Sequence, residues 1–111
     1  MANKRQLKKE IRYICGEVAA ECALAKYLVE EVNKDVLNDS LRDVAALQEE
    51  TLSRVNVNFD KVPKNFDSLK AYNIAKKNFM DKAFKSLTDE FNKRVQEIID
   101  KMNSALPKNK D

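Results

Sequence analysis

Between residues 7 and 32, apolar side chains recur at spacings of three and four: Leu7, Ile11, Ile14, Val18, Cys22, Ala25, Val29 and Val32. That period lines one face of a helix, the face a core would cover. It predicts a first helix from about residue 3 to about residue 33. The apolar content does not stop at this stripe. At 100° per residue, Gly16, Ala20, Ala23 and Tyr27 fall opposite it, with Tyr13 and Leu24 alongside. A helix that is apolar over most of its circumference is normally enclosed. The pattern therefore predicts neighbours on both flanks, either two other helices of the chain or a second copy. Gly16, Ala20 and Ala23 also form a flat strip of small side chains that would let another helix come close.

Turn and cap formers follow in Asn33-Lys34-Asp35 and Asn38-Asp39-Ser40. Ser40 with Asp43 three residues later resembles a capping box. The second helix is accordingly expected over 40–55, with a stripe of Leu41, Val44, Ala45, Leu52 and Val55, interrupted by Gln48, and with Leu47 to the side. Residues 56–66 break the helical period. Val55, Val57 and Phe59 alternate with Asn56, Asn58 and Asp60, a period of two. This segment reads as an extended connector pinned by Val57, Phe59, Val62 and Phe66. The alternative is a strand over 55–60 pairing with its own copy across a dimer axis.

Asp67 or Ser68 starts the last helix and Pro107 stops it, so it is expected over 67–106. Met80, Phe84, Leu87, Phe91, Val95, Ile98 and Met102 repeat after eleven residues, a spacing that suits nearly straight packing. Upstream, Leu69, Tyr72, Ala75, Phe79 and Ala83 form a related stripe, rotated from the first. Ser86–Glu90 is a candidate kink or split, and the polar tail Lys108–Asp111 is expected to fray. The fold class is all-α: one domain over 1–111, an up-and-down bundle of three main helices, long, short and long. Two long helices flanking a short one leave part of a groove uncovered, which predicts a homodimer.

Composition agrees with this architecture. One glycine and two prolines in 111 residues leave few places to turn. The absence of histidine removes the side chain most used for acid–base work near neutral pH and the commonest metal ligand. No Glu-x-x-His motif for a bundle metal site is therefore possible. No Gly-rich phosphate loop is present, and no base stands ready beside a nucleophile. Catalytic, cofactor and metal residues are accordingly none, and a non-enzymatic protein is expected. Cys15 and Cys22 lie seven residues apart, about 10.5 Å along a helix, too far for a mutual disulfide. Both are expected to be buried and reduced. No apolar run approaches a membrane span, and the charged opening MANKRQLKKEIRYIC does not read as a signal peptide. A soluble, cytoplasmic protein is expected.

The net charge is only +3, but the charges are segregated. Lys4, Arg5, Lys8, Lys9 and Arg12 face Glu10 alone in residues 4–12. Nine acids oppose Lys26, Lys34 and Arg42 in residues 17–50. Seven lysines oppose Asp67 and Asp81 in residues 61–85. Acidic and basic helix faces lying side by side within the bundle account for this order. The opening segment Lys4-Arg5-x-Leu7-Lys8-Lys9-x-Ile11-x-Tyr13-Ile14-Cys15, followed by Glu21-Cys22, resembles the start of an uncharacterised family of short all-helical bacterial proteins. That resemblance covers the first thirty residues. It implies a helical bacterial protein and carries no catalytic or binding residue.

Two functional expectations result. The first is a non-enzymatic helical interaction or structural module that self-associates or takes a protein partner, with Tyr13, Gly16, Ala20, Ala23, Leu24 and Tyr27 as the contact surface. The second is nucleic-acid binding, with Lys4, Arg5, Lys8, Lys9 and Arg12 contacting phosphates and the lysines after Asp67 adding a second patch.

Overall fold

The computed structural model describes residues 3–107. They form three α-helices, α1 (Lys4–Leu28), α2 (Lys34–Val55) and α3 (Leu69–Ser104), with one 3-10 turn at Pro63–Asn65. The expected fraying of Lys108–Asp111 lies outside the described residues. Each α-helix is opened by a polar side chain. Asn3 accepts from the Gln6 N–H at 2.8 Å, Asn33 from Val36 at 3.2 Å and Ser68 from Ala71 at 3.0 Å. Each such cap satisfies one of the donors a helix start leaves open.

Several boundaries differ from those read in the sequence. Helix α1 ends at Leu28 rather than near Asn33, because Val29 turns to extended backbone and Glu31 takes a left-handed φ of 62°. Helix α2 starts at Lys34 rather than Ser40. Asn33 is its cap, and Ser40 is buried inside it, satisfied by donating to the Val36 carbonyl at 2.9 Å. Helix α3 runs unbroken through Ser86–Glu90, with neither kink nor split. Residues 57–62 carry no strand.

Helix α2 runs antiparallel to both α1 and α3 and is the central helix. Its inner face is Leu37, Ser40, Val44, Leu47, Thr51 and Val55. This differs from the expected stripe, since Ala45 is exposed and Leu47 is core. Against this face α1 lays Leu7, Ile11, Cys15, Val18 and Cys22, and α3 lays Leu87, Phe91, Ile98 and Met102. The backbones of α1 and α3 lie farther from each other than from α2, but their side chains share one core, and at one end the Cys22 Sγ lies 3.1 Å from the Met102 Sδ. Both cysteines are free and buried, as expected, and burial raises their thiol pKa values.

Three ion pairs fix the α2–α3 register: Lys101–Asp43 at 2.8 Å, Arg94–Glu50 at 2.8 Å and Arg54–Glu90 at 2.7 Å. Steps of seven and four along α2 are matched by steps of seven and four back along α3. Hydrogen bonding to Arg94, then its charge, holds the Glu50 carboxyl below its ordinary range. Hydrogen bonding to Asp43 raises Lys101. These pairs are solvent-exposed, where water screens them and they add little net stability. Their main effect is alignment.

That alignment leaves α3 overhanging. Its 36 residues span about 54 Å, while the 22 of α2 span about 33 Å. Arg54 at the end of α2 already pairs with Glu90, so residues 69–86 run toward and past the end of the bundle, with Phe84 still packed against its core. The connector doubles back along this projection. Phe59 packs on Phe79, Tyr72 and Phe66 at centroid distances of 5.4, 5.8 and 6.1 Å. Residues 57–86 thus form an arm, and no residue of it is buried. The molecule measures 66 × 24 × 18 Å with a radius of gyration of 19.2 Å. A compact chain of this length would have about 13 Å.

Candidate interaction surfaces

The outer face of α1 carries the predicted contact residues on one side of the helix, directly opposite the core stripe. Tyr13 is 66% exposed, Leu24 58% and Tyr27 81%; Leu28 joins them at 74%. Gly16 and Ala20 are exposed and Ala23 is half-buried. The expectation that other helices of the chain enclose this face is therefore corrected. With α2 carrying core on the side shared by both neighbours, α1 becomes an edge helix, and nothing among the described residues covers its far side. Among the described residues, nothing beyond its own helical turns lies within 4 Å of where a Cβ on Gly16 would be. No close helix approach within the chain requires this glycine, which costs about 1 kcal/mol of helix stability relative to alanine.

One edge of this face is acidic. Glu17 and Glu21 flank it, and Glu30 and Glu31 follow in the turn to α2; all four are exposed and none forms an ion pair among the described residues. Glu17 acts on its neighbour, raising the Tyr13 phenol by hydrogen bonding and then by charge.

The second surface is the arm. Leu69, Met80, Phe91 and Met102 are spaced by eleven and share one face of α3. Phe91 and Met102 are in the core, Met80 is half-buried and Leu69 is 64% exposed. The α3 core stripe therefore continues past the point where α1 and α2 end. Val62, Ile74 and Phe79 are exposed as well. Sequence reasoning places Met80, Phe91 and Met102 on this repeat but puts Leu69 in a separate, rotated stripe with Tyr72, Ala75, Phe79 and Ala83. The missing signal was the α2–α3 register, which local periodicity does not encode.

The arm is also strongly basic. Lys61, Lys64, Lys70, Lys76, Lys77, Lys82 and Lys85 are all exposed, and among the described residues only Lys77 has an acidic partner, Asp81 at 3.7 Å. The predicted polyanion residues stand at the base of the arm. Lys4 donates to Asn58 at 3.2 Å, and Arg5, Lys9 and Arg12 are exposed on the first turns of α1 with Lys8 half-buried beside them. The fold thus gathers two basic segments, far apart in sequence, at one end of the molecule.

Among the described residues no group of three or more Cys, Asp or Glu converges as a metal site, and no helix is long and apolar enough to cross a membrane. No family model, curated protein or solved structure matches the chain.

Proposed function

We propose that the protein is a non-enzymatic helical interaction module that self-associates through the outer face of α1. The observation carrying this reading is the exposed row Tyr13, Ala20, Leu24 and Tyr27 on the helix side opposite the core. Contiguous exposed apolar surface of this kind marks an interaction site in soluble proteins. Tyrosines there offer contact area at low entropic cost. The surface total agrees: 8172 Å² is accessible, against about 6,300 Å² for a compact monomer of this mass. The excess of about 1,900 Å² per chain exceeds the roughly 800 Å² that each partner buries in an interface of standard size.

Ala20→Glu and Ala23→Glu test the reading. Because Ala20 is exposed in the single chain, Ala20→Glu leaves helicity and melting unchanged while weakening self-association by about tenfold or more. Sedimentation or light scattering over a concentration series reads the change. Unaltered association in both variants, or a wild-type chain that stays monomeric throughout the series, removes this reading.

A second reading rests on the gathering of basic residues at one end. A polyanion would be bound there through Lys4, Arg5, Lys9 and Arg12 together with the arm lysines. It predicts retention on a heparin or phosphate-polymer column that is lost at moderate salt and in a variant with Lys4, Arg5, Lys8 and Lys9 neutralised. Passage straight through the column at low salt eliminates it.

A further inference from the structure

Each chain has two unpartnered apolar surfaces, and they differ in charge. The arm is lysine-rich; the C-terminal half of the α1 face is edged by Glu17, Glu21, Glu30 and Glu31. Their lengths agree. Residues 69–86 of α3 span about 27 Å, and Tyr13 to Leu28 on α1 spans about 23 Å.

We infer that the covering partner is a second copy of this chain, whose basic arm lies along the acidic-edged α1 face, with the reciprocal contact made by the other arm. This rests on the self-association reading above and specifies which surfaces meet. A pairing of two arms would bring fourteen lysines together, seven from each chain, against few acids. A pairing of two α1 faces would leave the exposed Leu69 and Ile74 of the arm in water. Arm on α1 resolves both problems: unlike charges meet, and the α3 stripe acquires a helix to pack against. Two reciprocal contacts close a two-fold dimer, so no filament results. Each contact places a helix from one copy beside α1 of the other, giving that part of the bundle a fourth helix.

Complementation between two variants tests this arrangement. Ala20→Arg puts a positive charge on the α1 face and spares the arm. Leu69→Glu with Ile74→Glu puts negative charge on the arm and spares the α1 face. All three positions are exposed, and a glutamate in the first turn of α3 suits the helix dipole, so each chain keeps its fold. Helicity and melting confirm this.

Each variant alone loses both reciprocal contacts, and its dimer dissociation constant rises about tenfold or more. Mixed one to one, the two restore one intact contact, so a heterodimer forms more tightly than either homodimer. Dimerisation of the wild type also weakens with salt, as charge pairing requires. If the arm variant still dimerises like wild type, or the mixture recovers nothing, arm-on-α1 pairing is wrong while self-association stands. A wild-type chain that is monomeric at every concentration overturns both. Retention of the wild-type monomer on a phosphate polymer, with no dimer, assigns the arm to a polyanion instead.

Discussion

Leu47→Ala will destabilise the protein by about 2–5 kcal/mol, read from urea or thermal unfolding. Leu47 is 1% exposed on α2, the helix that supports both others. Truncating it opens a cavity in the core cluster that all three helices share. For a domain whose whole stability is of order 5–15 kcal/mol, this is a large fraction. Ala45→Glu is the control, since Ala45 is exposed and the change stays within about 0.5 kcal/mol. The pair distinguishes the inner face of α2 seen here from the stripe its apolar residues alone suggest. Equal losses at the two positions would mean that α2 is rotated about its axis relative to this structure.

The same two residues show where sequence reading succeeds and where it stops. The stripes of α1 and of the second half of α3 were legible because they consist of large aliphatic residues at helical spacing: Leu7, Ile11 and Val18 in one, Leu87, Phe91 and Ile98 in the other. Helix α2 was misjudged because two of its core positions are Ser40 and Thr51. Hydroxyls are discounted in a search for apolar periodicity. A helical serine can nevertheless satisfy its own hydroxyl on the preceding turn, as Ser40 does on Val36, and then pack like a small apolar residue. Counting Ser40 as a cap also started the helix six residues late. The outer face of α1 was legible as a surface, Tyr13 and Tyr27 included. Its exposure was not, because that depends on which helix takes the middle, a property of the whole assembly. The arm was illegible for a related reason. Nothing local to Leu69 or Met80 records that Arg54, next to the last residue of α2, pairs with Glu90.

Helix α3, continuous in its backbone, will behave as two units in hydrogen exchange. Amides of residues 87–102 will exchange only through global unfolding, since Leu87, Phe91, Ile98 and Met102 are held in the core. Amides of residues 72–84 will exchange about two orders of magnitude faster in the monomer, through local opening of the arm. A helical segment of eighteen residues with two asparagines inside it, Asn73 and Asn78, is marginal without packing. Among the described residues its packing is the cluster of Phe59, Phe66, Tyr72 and Phe79, with Phe84 against the core at its end. Each aromatic pair there contributes about 0.5–1.5 kcal/mol beyond its buried area, too little to match a closed core. Raising the protein concentration separates this property from the partner contact. In an arm-on-α1 dimer, protection of residues 72–84 climbs with dimer fraction while that of 87–102 changes little, and Ala20→Arg abolishes the climb. Uniform protection along the whole of α3 in the dilute monomer would show that the strap cluster alone suffices to lock the arm. The overhanging stripe would then need no second chain to hold it.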